Sequence, residues 1–363
     1  MVGAGIVGLS TAYALRRYPV TVRCYDAAEP MSGRSRGDTR IFRLAHDTAT
    51  LVRYAVRAGV GWARWERTAG RTLVGAETTV ISGDGAAERY ATMRAAGVRC
   101  GLHEGARSVA ALPASADTPG PFLVDPAGGV IRAAATGAFL RQAVGRTTRT
   151  DAVERVTVHG DTATIHSAGG SWQCDAVLIA AGTGTPALAA PLGIDVPDRL
   201  EHHFRFTFPL TEGPVTERPV TEGVGTEGRV TEGVAPPCWI ERSSAWRDGF
   251  TTYGHAVAAG RWAVGAHLPA EDTDWSLPVD EARRRASAAV TAYVTEFLGG
   301  TVEPTVLDEV YCAPTVGLGD GVQVARTGPV LAVWGENLFK LAPALGADLA
   351  AAVASRGLPE DLP

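Results

Sequence analysis

The chain has 363 residues, a formal net charge of −5 and a sequence pI near 5.9. Hydrophobic residues make up 45% and charged residues 20%, which suits a globular protein of one large domain or two interlocked ones. The acidic balance argues against nucleic acid as a main partner, and no apolar run reads as a membrane span or a secretion signal.

Two residues, Met1-Val2, precede Gly3 of the glycine-rich VGAGIVG, and LSTAYALRRY continues it as a helix. PVTVRCYD reads as a strand with Val20, Val22 and Cys24 on one side. LVRYAVRAGVGWARWERTAG at 51–70 is helical, and 130–145 reads as a further helix with Phe139, Leu140 and Val144 along one side. AVERVTVHG and TATIHSAG predict a hairpin around Gly160-Asp161, and DAVLIAAGTGTP predicts a buried strand running into a glycine-rich turn. Residues 211–235 are TEG-type pentapeptides copied five times, a composition that packs no core; the expectation is an acidic insertion between the strands FRFTFPL and PCWIER. A helix is expected at 279–299, then the strand LDEVYCAPT, the turn GLGDG, the strand PVLAVWG and a closing helix. The five cysteines, Cys24, Cys100, Cys174, Cys238 and Cys312, are widely spaced. They predict free thiols and a reducing, cytoplasmic setting, with no metal site.

Gly3-x-Gly5-x-x-Gly8 opens a helix, and Asp26 ends the next strand 18 residues after Gly8. The first glycine permits the tight turn, the second lets a pyrophosphate approach the backbone, and the third lets helix and strand pack closely. The helix N-terminus would face the phosphates, and Asp26 would accept from ribose hydroxyls. A strand of that fold needs about five residues, so a first strand of Met1-Val2 is short. The segment GRSRGDTRIFRLAH, a second glycine-rich turn at 182–184 and a terminal Phe339-Lys340 before a helix favour FAD over a nicotinamide cofactor.

Four stretches carry a family resemblance: VGAGIVGLSTAYAL with Asp26, RGDTRIFRLAH, VLIAAGTGT, and VYCAPT with NLFKLAP. The chain resembles the D-amino-acid-oxidase-like flavoproteins, on the branch of monomeric sarcosine oxidase and N-methyltryptophan oxidase. The resemblance implies an α/β (α+β) architecture, a doubly wound FAD-binding Rossmann-type domain interleaved with a mixed-β-sheet substrate domain. The expected division gives 1–75, 131–195 and 313–363 to the FAD-binding domain. It gives 76–130 and 196–312 to the substrate domain. The implied reaction oxidises the C–N bond of an amino acid or N-methyl amine bearing a carboxylate, with hydride passing to flavin and electrons to O2. The implied catalytic residues are Arg43 and Lys340 at the substrate carboxylate, with His267. Gly3, Gly5, Gly8, Asp26, Arg40, Gly182, Cys312 and Asn337 fall on the cofactor side. Cys312 sits where this branch bonds its thiol to the flavin, so covalent FAD and a buried free thiol both stay open.

Lys340 is the one lysine against 33 arginines. A compact ammonium on a flexible stem fits beside a guanidinium where a second planar fork would crowd the site; the alternative is an ordinary surface lysine. The family's second lysine, over the flavin, is replaced by Ala263, leaving Arg261 or His267 as candidate substitutes. Loss of that cation, with Trp239, Trp246, Trp262 and Trp334, motivates a second reading. It is an FAD-dependent oxygenase acting on an acidic, indole-like substrate of specialised metabolism. Packing is the other use of those tryptophans. A third reading is a flavin-binding protein without turnover.

Overall fold

The computed structural model describes the chain except for residues 107, 108, 110, 114–117, 212–235, 245, 299, 360 and 361. The pentapeptide tract thus lies, apart from Thr211, outside the described residues.

The first half contains α1 (Ile6–Leu15), β1 (Cys24–Asp26), β2 (Thr39–Phe42), α2 (Ala49–Ala69), β3 (Thr79–Ser82), α3 (Ala86–Ala95), β4 (Gly101–Gly105), β5 (Pro119–Asp125), β6 (Gly129–Arg132) and α4 (Ala133–Val144). The strands β7 (Thr148–Thr150), β8 (Val153–His159), β9 (Thr162–Ser167), β10 (Gly170–Cys174) and β11 (Val177–Ile179) follow, then α5 (Thr185–Ala189). The second half contains β12 (His203–Pro209), β13 (Cys238–Glu241), β14 (Thr251–Ala258), β15 (Arg261–His267), α6 (Ala270–Thr273), α7 (Val279–Phe297), β16 (Asp308–Cys312), β17 (Gly321–Thr327), β18 (Val330–Glu336) and α8 (Ala342–Ser355).

Parallel strands and buried helices build the nucleotide side. Val2 bridges Tyr25 on one flank and Ile179 on the other, both in parallel, and β11 continues to β18 in parallel. Two residues thus do the pairing of a central strand: Val2 N–H donates to Leu178 O at 2.8 Å, and Tyr25 N–H donates to Met1 O at 2.9 Å. The same shortness corrects the expected strand at 19–26. Regular pairing is confined to Cys24–Asp26, which lie against Met1–Gly3 and Thr148–Thr150, while Val20 is exposed. A strand persists only where a neighbour takes its hydrogen bonds. The expected helix over 130–145 begins instead at Ala133, because residues 129–132 pair antiparallel with β2. The hairpin at 160–161 forms as expected between β8 and β9.

The helix α1 is apolar on nearly every side and buried among α4 and α8. The stretch Leu338–Ser355 is long and apolar enough by composition to cross a membrane, contrary to the sequence expectation. Its apolar surface is used inside the protein, where Leu341, Leu345, Leu349 and Ala350 are buried in the same core as Leu9 and Leu15.

The second body is an eight-stranded mixed sheet in the order β16-β12-β15-β14-β13-β3-β5-β4. Its register sorts side chains by alternation. One face carries Phe204, Phe206, Phe208, Trp239, Trp262 and Val264, which pack with Ala286, Val290 and Tyr293 of α7. The other carries Cys312, His203, Arg205, Ala263, Gly265, His267, Tyr253 and His255, and is turned toward β2. Trp239 and Trp262 are therefore core residues.

Candidate functional site: a cation-rich seam between the sheet and the nucleotide fold

The glycine turn has the shape a dinucleotide needs. Gly3 adopts φ +100°, and a Cβ on Gly8 would lie 1.9 Å from Gly3 O, so only glycine lets α1 start this close to the turn. The N-cap Gly5 supplies no side-chain cap; Ser35 Oγ takes the Ile6 N–H, and the other first-turn N–H groups are left to a ligand or solvent. Asp26 stands beside this turn and accepts from Ala4 N–H at 2.6 Å and Ala28 N–H at 3.1 Å. Gly182, at φ +59°, makes the second turn at the end of β11, near Arg34.

The segment from residue 31 to 46 runs from this turn to the sheet. Met31 N–H donates to Ala4 O, and Ser35 Oγ accepts from Ile6 N–H at 2.9 Å. Arg36 Nε donates to Tyr311 O, next to Cys312. Arg40 donates to the carbonyls of Thr39, Arg34 and Arg36 and lies 5.7 Å from the Phe339 ring. Buried Asp125 accepts from Leu44 and Ala45 N–H and thereby fixes the stretch that carries Arg43 and His46.

Arg43 and Lys340 meet on a third residue, which sequence reasoning missed. Asp320 Oδ2 lies 2.5 Å from Arg43 Nη2 and 3.0 Å from His46 Nδ1. Both Asp320 oxygens lie 3.2 Å from Lys340 Nζ, and Asn337 Nδ2 donates to Oδ1 at 2.8 Å. Hairpin β17–β18 makes this possible by setting Asp320 opposite Glu336. Asn337 then turns the chain at φ +56°, a left-handed conformation asparagine tolerates, into the 3-10 turn that carries Lys340. Lys340 is 5% exposed, and its carbonyl accepts from Trp62 Nε1 at 2.9 Å. The surface-lysine alternative is excluded.

Burial pulls Lys340 down to about 8, with Arg43 adding to the fall and Asp320 opposing it. Burial raises the Asp320 carboxyl, but Lys340, Arg43 and the His46 bond outweigh it and hold the group well below the usual range. His46 falls to about 3, chiefly through burial and then through the nearby Lys340 and Arg43. A neutral His46 that donates from Nδ1 has a bare Nε2, and that atom has no partner.

A second set sits on the polar sheet face. Arg205 is 6% exposed and donates from Nη1 to Thr39 O at 3.0 Å, with His255 Nε2 at 3.5 Å. Its Nε is buried without a partner, as is His255 Nδ1. Burial, then Arg205, lowers Arg40 to about 10. His203 Nε2 lies 2.9 Å from Tyr253 Oη; burial takes His203 to about 3 and Tyr253 up to about 12. Tyr253 covers Gly265, where a Cβ would lie 2.3 Å from the ring. The His267 ring lies tilted against His203, 5.6 Å between centroids. Cys312 is opposite His203 in register, and burial raises its thiol despite Arg40 and Arg34 nearby. Arg261 is exposed, away from this set.

The structure thus brings Arg43, Lys340 and Asn337 together on Asp320, places Arg40 and Cys312 near one another, and keeps Gly3, Gly5, Gly8, Asp26 and Gly182 at the nucleotide turns. Sequence reasoning missed Asp320, His46, Arg205, His203, Tyr253 and His255. The signal that was available for Asp320 was an acid inside a glycine-rich turn just before a strand.

A two-glycine-turn nucleotide fold facing a mixed sheet through a polar, cation-rich seam defines an FAD-dependent oxidoreductase. Comparison with family models places residues 1–352 in the DAO family, described as FAD dependent oxidoreductase, and the chain belongs to it. No curated protein matches the chain significantly. Among solved structures it is similar to NikD, described as an unusual amino acid oxidase essential for nikkomycin biosynthesis, at 21% identity and TM-score 0.74, covering 99% of this chain and 96% of that one. Glycine oxidase from Geobacillus kaustophilus matches at 14% identity and TM-score 0.72, covering 98% and 94%. Iminodiacetate oxidase from Chelativorans sp. BNC1 matches at 16% and 0.71, covering 99% and 95%. At these identities the likeness speaks for the fold.

Proposed function

We propose that the chain oxidises the C–N bond of an amino acid, or of a secondary or N-methyl amine that bears a carboxylate, with O2 as the electron acceptor. The observation that carries this reading is the buried Arg43–Lys340–Asp320 group. Two cations and one carboxylate, beside a neutral His46, leave one net positive charge in a desolvated place. That charge calls for one more anion, and an organic carboxylate of the substrate supplies it.

The glycine turns and Asp26 would hold FAD by its dinucleotide part, and the polar sheet face would meet its ring. What bound FAD supplies is a two-electron hydride acceptor. The protein would orient the substrate through its carboxylate and favour the neutral amine, whose proton is left in bulk water before binding. An ammonium entering here meets Arg40, Arg205, Arg43 and Lys340, and its proton is disfavoured by their charge. His203 and His255 are held neutral by burial, with no strong base among them, so the amine binds unprotonated. Cys312, opposite His203 on the polar sheet face, would be the thiol for a covalent attachment to the cofactor, the other reading being a buried free thiol. The free state of all five cysteines supports a reducing, cytoplasmic setting.

The test is anaerobic mixing of the flavin-loaded protein with N-methyl and cyclic amino acids and with their methyl esters. The acids bleach the flavin absorbance and the esters do not; equal bleaching by both removes the carboxylate from the account. Peroxide on admitting air supports the oxidase, whereas oxygen-18 entering an organic product supports the oxygenase. The burial of Trp239 and Trp262 on the opposite sheet face weakens the aromatic-substrate motive for the latter.

A further inference from the structure

Arg40 and Arg205 are two guanidinium groups that approach one another without a carboxylate between them. Arg40 Nη1 and Arg205 Nη2 both lie within 3.7 Å of one point, the position a Cβ would take on Gly37. Neither forms an ion pair among the described residues, in contrast to Arg43 and Lys340. The hydrogen-bond partners of Arg205 are a backbone carbonyl and a neutral histidine, and its Nε is buried and unpartnered. Leaving a charge in this state costs several kcal/mol unless an anion completes the site. The sheet register shows where the group is delivered. Arg205 is opposite Gly265, two residues along β15 from Ala263, and Ala263 is opposite His255, which Arg205 reaches. Gly265 leaves its row of the face to Arg205 and Tyr253, and Ala263 leaves the next row to Thr207 and His255.

We propose that Arg205 is the permanent positive charge of the sheet face toward the flavin ring. It stabilises the anionic, two-electron-reduced cofactor and stands in for the cation that Ala263 cannot supply. His255 and Thr39 fix the guanidinium, with His255 Nε2 2.9 Å from Thr39 Oγ1. Arg40, held by three carbonyls, supports the same field from β2. A preorganised charge of this kind needs no movement when negative charge develops. The inference rests on membership of the FAD-dependent family and not on the identity of the substrate.

The test is the midpoint potential of the bound flavin, read by dye-equilibrated reduction without any substrate. Arg205→Gln lowers the potential, by about 30 mV for each tenfold loss in stabilisation of the reduced form. Arg205→Lys, which keeps the charge, stays near the parent. The double variant Arg205→Gln with Ala263→Lys recovers the potential by restoring a cation to the same face, in the adjacent row. An unchanged potential in flavin-loaded Arg205→Gln overturns the proposal, as does an equal fall in the Lys and Gln variants. If Arg205→Gln holds no flavin, the double variant decides: recovery of flavin and potential supports the proposal, and failure to recover overturns it. Because no substrate is present, a negative substrate panel leaves this result untouched.

Discussion

Lys340 Nζ lies 3.2 Å from each carboxylate oxygen of Asp320, twenty residues earlier in the chain, with both side chains nearly sealed from solvent. On the proposed reading, Asp320 takes up part of the positive charge that a substrate carboxylate would use, and would thereby set how strongly the Arg43–Lys340 pair attracts an external acid.

Replacing Asp320 by Asn removes the counter-charge and leaves two buried cations opposed. Breaking a buried pair in this way costs about 3–5 kcal/mol, read as a drop in the urea midpoint. In the variant that folds, affinity for acetate or benzoate rises. A loss of stability with weaker anion binding would show Asp320 to be part of the receptor and not its competitor.

Lys340→Met leaves Asp320 paired with Arg43 and cancels the net charge. Carboxylate ligands should bind about 10- to 100-fold more weakly, the range of a charged hydrogen bond, while flavin content stays the same. Parallel loss of flavin and ligand would contradict the assigned role. With Lys340 at about 8, carboxylate affinity of the parent should also decline above pH 8 as the ammonium loses its proton.

The histidines make the fold acid-sensitive. His46 and His203 bind a proton near 6.5 when unfolded and near 3 when folded. Between those values the unfolded chain holds more protons, so stability rises with pH and is lost as pH falls from 6.5 toward 3. Each contributes up to about 1.4 kcal/mol per pH unit. Thermal melts from pH 7 to 4 should show this slope, and His46→Asn should flatten it; an unaltered slope in the variant would assign it elsewhere.

Cys312 and Cys238 both lie on the polar sheet face by register, and Cys312 is the one opposite His203 and next to the Arg36-bonded Tyr311. If yellow colour stays with the acid-denatured parent, Cys312→Ser should release it while folding normally. A pellet that remains yellow in the variant would move the attachment to another residue.

The pentapeptide tract joins β12 to β13, which are separated by β15 and β14, a span of about 14 Å at the usual strand spacing. Shortening it to a flexible linker of about eight residues bridges that gap. The shorter loop should leave stability unchanged or raise it by about 1 kcal/mol through the smaller closure entropy. A collapse in solubility on shortening would show that the tract has contacts of its own.

Local pattern carried much of this protein. The glycine spacing with Asp26 is a short-range device, and it reads directly because turn, helix start and acid lie within one supersecondary unit. FRFTFPL read as a strand, and the lone lysine marked a position where one side chain was required. What the sequence left open was which face of the strands turned toward β2 and the nucleotide fold and which side chains met across them. Arg205 and Phe204 are adjacent in the chain but lie on opposite faces, one in the seam and the other against α7. Asp320 reaches Arg43 across 277 residues, because a hairpin and the carbonyl-fixed 31–46 segment converge there. Pairing across such separations is set by sheet register and burial, which the linear order does not encode locally. The tertiary structure alone therefore decided that Arg43 and Lys340 share an acid while Arg40 and Arg205 have none.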